Sequence, residues 1–236
     1  MDRDSTDIEG SKEFNATLAE NLSIMLVEPT GAGNIGSVAR VMHNTGLKRL
    51  VLVNPVEFEN DEGFQMACNA GHLLLQAKVY DTFAEAIRDE NILIGSTRRK
   101  GKLRNPHFSL GDIIPKVGEL TPANRVALVF GREAHGLNNE ELELCDMLFE
   151  IPTHEDNPSL NLSHAVFAVT HAIFMSKTQV GESIELAPRA QVEMLFDHLD
   201  KTLYRIGYGI EGSEYLKESI MHNFRRLFGR TGLMEN

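Results

Sequence analysis

Residues 22–53, LSIMLVEPTGAGNIGSVARVMHNTGLKRLVLV, decide the fold class. Two runs, SIMLV and RLVLV, are apolar at successive positions, the pattern of strands buried on both faces. Between them Pro29, Gly31 and Gly33 break the first run, and a segment from about Asn34 to Asn44 carries helical spacing. A strand, a glycine turn, a helix and a second strand make a βαβ unit.

The same rhythm continues outward. It predicts a helix within 61–75, a strand at AKVYD, a short helix at 82–89, a strand at NILIG and a long loop over 96–108. A helix near 109–118, the strand RVALVF, a helix at 138–144, the strand MLFEI and a helix from Leu160 to Ser176 follow. The expectation is an α/β fold, a Rossmann-like parallel sheet with helices on both faces. Residues 1–20 carry six acids against two bases and read as a flexible acidic tail. The main domain is expected over 21–177, a linker over 178–188, and a C-terminal helical extension over 189–236 with helices at 189–206 and 213–228.

A chain of 236 residues with 42% hydrophobic composition buries a full core, as one domain plus an appendage. No apolar run approaches the length of a membrane span, and the first twenty residues lack a signal-peptide pattern, so a cytoplasmic protein is expected. Cys68 and Cys145 lie in unrelated segments without C-x-x-C spacing, against a disulfide framework or a zinc cluster. The net charge of −11 argues against coating nucleic acid by bulk electrostatics. Positive charge is instead local: Arg98, Arg99, Lys100, Lys102 and Arg104 form one cluster, and Arg225, Arg226 and Arg230 another. Such runs serve equally well as solvated surface.

Gly31, Gly33 and Gly36 spell G-x-G-x-x-G between a strand and a helix, the dinucleotide fingerprint. An NAD-linked oxidoreductase would then need a carboxylate at the end of the second strand. That strand ends in Asn54-Pro55, and the nearest acid is Glu57, so this reading is disfavoured. Asn34 and Arg40 give the loop another character: both lie toward one end of the helix, where they could converge on one substrate group. Gly131 ends the strand VALVF and allows close approach of a ligand, with Arg132 and Glu133 beyond it. The run Asn157-Pro158-Ser159-Leu160-Asn161-Leu162-Ser163 opens an apolar helix; Ser159 or Asn161 suffices as its cap. His164 and His171 share a helical face without metal-site spacing, so no metal is expected, and no G-x-S-x-G elbow supports a hydrolase.

Taken together, PTGAGNIGSVARVMHNTGLKRLVLVNP, ALVFGREAHGL and IPTHEDNPSLNLSHAV resemble the three ordered motifs of the SpoU/TrmH branch of the SPOUT superfamily of RNA 2′-O-ribose methyltransferases. The resemblance spans about residues 22–176, and the tail with RIGY and FRRLFGRTGL is similar to the helical extension of TrmJ-type tRNA methyltransferases. It implies a C-terminal deep trefoil knot, a homodimer and S-adenosylmethionine as cofactor. By matching positions, Asn34, Arg40, Glu133, Ser159 and Asn161 fall on the family's catalytic positions. Ser96, Thr97, Arg98, Gly131, Ile151, Ser159 and Leu160 fall on its cofactor positions. Where the family often has Thr-Thr-Ala-Arg, this chain has Ser96-Thr97-Arg98-Arg99, which puts an arginine beside the cofactor.

The expected reaction is transfer of a methyl group to a ribose 2′-hydroxyl of RNA, most readily nucleotide 32 of the tRNA anticodon loop, with ribosomal RNA as the alternative. A catalytically inactive RNA-binding protein is a further alternative, disfavoured by retention of all five catalytic positions. Arg40 is expected to stabilise the developing alkoxide, assisted by Asn34 and Ser159. Glu133 is expected to orient an arginine, one from the partner subunit included. RNA phosphates are expected on Arg99, Lys100, Lys102, Arg104, Arg225 and Arg226.

Overall fold

The computed structural model describes residues 16–98, 107–157, 159–176, 185–210, 214–231 and 233, apart from the side chains of residues 226, 230 and 231. Its strands are β1 (Leu22–Val27), β2 (Arg49–Val53), β3 (Lys78–Tyr80), β4 (Ile92–Ser96), β5 (His107–Ser109), β6 (Val126–Phe130) and β7 (Met147–Glu150). They form one sheet in the order β3-β2-β1-β6-β4-β7-β5, with every pairing parallel. The expected parallel α/β sheet is present. β5 falls within the stretch expected to be loop, because three residues are too few to show a period.

The helices are α1 (Ala32–Asn44), α2 (Asp61–Ala67), α3 (Gly71–Leu75), α4 (Phe83–Ala86), α5 (Leu110–Leu120), α6 (Asn139–Leu144), α7 (Leu162–Met175), α8 (Arg189–Arg205) and α9 (Glu214–Thr231). The helix expected within 61–75 is two helices joined by a tight turn over Cys68–Ala70. Cys68 breaks it by adopting φ +51, a conformation outside the helical region. No helix among the described residues is long and apolar enough to cross a membrane.

β1 is buried at all six positions, as a strand with helices on both sides must be. Ile24 and Leu26 face one layer with Val38, Met42 and Val166, whereas Met25 and Val27 face the other with Ala86 and Leu142. Side-chain alternation along a single strand therefore feeds two cores. α1 and α2 touch through backbone: a Cβ at Gly36 would stand 2.1 Å from the Gly63 carbonyl oxygen. The third glycine of the fingerprint thus serves helix packing.

Two segment boundaries differ from expectation. The acidic tail does not extend to residue 20, because residues 16–21 are helical and Leu18 and Ala19 are buried in the domain. At the far side, Leu186 and Ala187 are buried too; the Leu186 N–H donates to Asn124 Oδ1 at 2.8 Å and its carbonyl accepts from Asn91 Nδ2 at 3.1 Å.

α8 and α9 pack on each other through Lys217–Asp200 and Arg225–Glu193 ion pairs and a Phe196–Phe228 ring contact. Arg189, only 4% exposed, ties this pair to the domain. Its Nη1 donates to both Asp146 oxygens at 3.0 and 2.9 Å, and its Nη2 to the Leu144 carbonyl at 2.6 Å. Asp146 precedes β7, so the extension docks at the amino ends of the strands.

Candidate functional site

The opposite, carboxyl edge of the sheet carries the site. β1 to β3 wind outward on one side, and the chain then crosses to β4; β6 and β7 later insert on either side of β4. Loops diverge at such a crossover and leave room for a ligand. The ends of β4, β6 and β7 open there into a cleft of about 310 Å³, the size of a small-molecule site.

Ser96, Thr97 and Arg98 line this cleft from the end of β4, and Gly131 from the end of β6. Ile151 lines it from the end of β7, with Ser159 and Leu160 from the approach to α7. All seven residues expected at the cofactor positions meet in one place. Phe130, Leu137, Leu162 and Ala165 add an apolar lining.

Glu133 also lines the cleft, and through Asn34 a chain of hydrogen bonds joins it to the other two sequence segments. Its Oε2 accepts from the Thr30 backbone N–H at 3.0 Å and from the Thr30 hydroxyl at 2.8 Å. Its Oε1 accepts from Asn34 Nδ2 at 2.9 Å. Asn34 Oδ1 accepts from Asn161 Nδ2 at 2.9 Å, and Asn161 Oδ1 accepts from the Ser163 N–H at 2.9 Å and its hydroxyl at 2.7 Å. Asn161 is thereby also the cap of α7. Burial pushes the Glu133 carboxyl up, but the bonds from Asn34 and Thr30 outweigh it and hold the group below the usual carboxylate value.

This geometry turns the Glu133 oxygens to Thr30 and Asn34 within the chain. It also bears on the nicotinamide alternative. The N–H of Thr30, just ahead of α1, already receives the chain's own carboxylate, where a pyrophosphate would need the anion seat.

Arg132 is a clamp. Its Nε donates to Glu28 Oε2 at 2.8 Å, and its Nη atoms grip Glu141 at 2.9 and 3.0 Å. Glu141 is at the same time the third residue of the α6 capping box with Asn138. The bond from Arg132 holds the Glu28 carboxyl below its usual value, and Glu141 followed by Glu28 raises the guanidinium further above its already high one. The Asn-x-x-Glu spacing of the cap is legible in sequence; the recruitment of its glutamate by Arg132 is a tertiary event.

Gly131 is required by the chain itself and not only by a ligand. A Cβ there would lie 2.1 Å from the Gly136 carbonyl carbon and 2.2 Å from the Leu137 nitrogen. The loop folds back on the strand end, with the Gly136 N–H donating to the Arg132 carbonyl at 2.8 Å and Gly136 at φ +66.

The remaining site residues are distributed less tightly. Arg40 is exposed and does not join the Asn34 network. Six positions separate the two, about 9 Å along α1 and about 120° around it, so they do not converge. Arg225 was expected to bind phosphate, but its guanidinium bonds both Glu193 oxygens at 3.0 and 3.1 Å and lies 4.1 Å over the Phe196 ring. That pairing commits it to the α8–α9 contact. Arg99, Lys100, Lys102 and Arg104 lie outside the described residues, as does the side chain of Arg226.

An all-parallel sheet with a ligand-sized cleft and converging polar side chains at its carboxyl edge defines an α/β ligand-binding domain. The chain belongs to the SpoU methylase family: the model of the SpoU rRNA Methylase family matches residues 21–171. It is 38% identical over 161 residues to the tRNA (cytidine-2′-O-)-methyltransferase TrmJ of Methanocaldococcus jannaschii, covering 67% of this chain and 69% of that one. It is 33% identical over 231 residues to the tRNA (cytidine/uridine/adenosine-2′-O-)-methyltransferase TrmJ of Pseudomonas aeruginosa, covering 92% and 89%. The crystal structure of TrmJ from Z. mobilis ZM4 superposes with a TM-score of 0.73 at 28% identity, over 88% of this chain and 89% of that one. The SpoU methyltransferase AviRb from Streptomyces viridochromogenes, solved in complex with the cofactor AdoMet, shares the fold at 21% identity and a TM-score of 0.52, over 64% and 58%.

Proposed function

We propose that this chain transfers the methyl group of S-adenosylmethionine to a ribose 2′-hydroxyl of tRNA. The observation that carries the proposal is the hydrogen-bonded meeting of Asn34, Glu133 and Asn161, from three separated segments, beside a cleft of about 310 Å³. The activity of the two TrmJ relatives supports tRNA as substrate.

The cleft suits the cofactor chemically. Leu160, Ile151, Phe130 and Ala165 offer apolar surface to an adenine ring, while Thr97 and Ser159 offer hydroxyls, and Arg98 a positive charge, to the polar parts. When bound, S-adenosylmethionine supplies a methyl group already activated by its sulfonium. The chain's own task is to align a ribose hydroxyl and stabilise the negative charge that develops on it. Asn34 and Ser159 are the nearby donors. Arg40, always protonated, is assigned to the same charge; it stands about 9 Å along α1 from Asn34 and meets the alkoxide only through the bound substrate.

The sheet order supports the trefoil knot that we assign to the C-terminal part of the domain, since β6 and β7 enter between strands already laid down. A homodimer is supported by α7. His164, Phe167, His171 and Phe174 recur at helical spacing on its exposed side, with Phe167 46% and Phe174 50% exposed. A second copy of the chain would cover this stripe. We place the protein in the cytoplasm, in keeping with its tRNA substrate and its free thiols at Cys68 and Cys145. The target is nucleotide 32 of the anticodon loop, on the similarity of the C-terminal extension.

Ribosomal RNA is the second reading, favoured by the description of the matching family. Tritiated methyl transfer to unmodified tRNA and rRNA, followed by mapping of the methylated nucleotide, decides between them. Label at nucleotide 32 of tRNA is expected, whereas transfer to rRNA alone would overturn the tRNA assignment. Arg40→Ala is expected to slow transfer by about two orders of magnitude or more with cofactor affinity retained. Unchanged turnover would remove Arg40 from the mechanism.

A further inference from the structure

We infer that Thr30 and Ser163 are positioning residues whose hydrogen bonds set the facing of the Asn34 and Asn161 amides, so that both present N–H donors to the ribose oxygen. This rests on the methyl-transfer reading above and adds two residues to it.

Polarity propagates from one end of the network. An ionised carboxylate only accepts hydrogen bonds. Glu133 Oε2 takes both Thr30 donors, which leaves Oε1 for Asn34. Asn34 must therefore point its Nδ2 at Glu133 and its Oδ1 the other way. There it meets Asn161, which can answer a carbonyl oxygen only with its own Nδ2. Asn161 Oδ1 is then turned toward Ser163, whose N–H and hydroxyl fill both of its lone pairs. A cap of α7 would need only the Ser163 N–H. The added hydroxyl at 2.7 Å, with the paired Thr30 donors, fixes the network from both ends.

The consequence lies in what remains free. Each amide has used one N–H within the network and keeps the other, and Asn161 keeps no acceptor. Asn161 is exposed and Asn34 partly so, which leaves these donors open to a ligand. Donors fixed in advance stabilise a developing alkoxide without reorganisation, whereas a reversed amide would set a carbonyl oxygen against it. Loss of the Thr30 hydroxyl leaves the Thr30 N–H alone on Glu133 Oε2, which loosens the carboxylate and weakens its hold on the Asn34 amide. Of this network only Glu133 lines the cleft, so cofactor binding draws chiefly on other residues.

The test is single-turnover transfer of tritiated methyl from saturating S-adenosylmethionine to unmodified tRNA, with cofactor affinity measured by calorimetry. Thr30→Val is expected to slow transfer about tenfold, the scale of one hydrogen bond to a charged group. Cofactor affinity should stay within about twofold, and Thr30→Ser should restore most of the rate. Ser163→Ala, which keeps the backbone donor, is expected to lose about threefold. Thr30→Val combined with Asn34→Ala should be no slower than Asn34→Ala alone, because the two act as one unit. The inference is overturned if Thr30→Val transfers at the unaltered rate while Asn34→Ala is slow, or if Thr30→Ser recovers nothing. An unaltered protein that methylates neither tRNA nor rRNA overturns the methyl-transfer reading itself, and the inference with it.

Discussion

Replacing Gly131 with alanine perturbs the cleft wall without changing a charge. The new Cβ would stand 2.1 Å from the Gly136 carbonyl carbon, 2.2 Å from the Leu137 nitrogen and 2.5 Å from the Gly136 oxygen. Comfortable separations are about 3.5 Å, so the returning loop must retreat by about 1 Å or more. The loop cannot move freely, because Arg132 pins it to Glu28 and Glu141. Overpacking of this kind costs about 1–3 kcal/mol. In a chain of this length each kcal/mol lowers Tm by about 2–4 °C, so a drop of about 2–12 °C is expected. Glu133 and several cleft residues ride on the same loop, and a 1 Å misplacement of a site lowers rates about a hundredfold. Gly136→Ala is the control: nothing lies within 4 Å of its Cβ, and its cost comes from φ +66 alone. Thermal melts and calorimetric titration with S-adenosylmethionine read both variants. Gly131→Ala with an unchanged melting point and unchanged cofactor affinity would refute the close packing argued for this loop.

Three further outcomes are expected. Glu133 has its folded-state pKa depressed below the ordinary 4.5, so the stability it contributes is present above that value and lost as pH falls through the lower folded one. Glu133→Gln should therefore be less stable than the unaltered chain at neutral pH in urea unfolding, and the gap should close in acid; a gap that widens in acid contradicts the assignment. Arg189→Met strands the Asp146 carboxyl, at a cost of about 3–5 kcal/mol in the same assay, and adding Asp146→Asn should recover much of it. No recovery would mean that the pair does not anchor the extension. Replacing Arg99 and Lys102 with glutamine should weaken tRNA binding and flatten the slope of log affinity against log salt by about 1.5, as for two lost phosphate contacts; an unchanged slope would make the cluster ordinary solvated surface.

The parallel sheet was legible because buried strands such as SIMLV and VALVF advertise themselves by composition. Short elements were not. β5 has three residues, and α2 and α3 read as one helix until Cys68 takes a positive φ that no local pattern announces. The buried Leu18 and Ala19 sit in a segment whose acidic composition suggests a tail. Composition averages over a window, whereas burial is decided side chain by side chain.

The site shows the same division. The glycine turn, the Gly131 strand end and the polar run before α7 can be picked out one by one, since each carries residue types unusual for its element. Their assembly beside one cleft follows from β6 and β7 flanking β4, and strand order leaves no mark on local spacing. Thr30 and Ser163 look like ordinary turn and cap residues until Glu133 and Asn161 are brought against them. Arg225 looks like a phosphate ligand until Glu193 and Phe196 claim it. The sequence by itself determined the longer elements and which segments carry residue types unusual for them, because periodicity, glycine and proline act over a few neighbouring positions. Only the tertiary structure decided which donor meets which acceptor, because hydrogen bonds between residues 99 to 127 positions apart depend on how the strands are ordered.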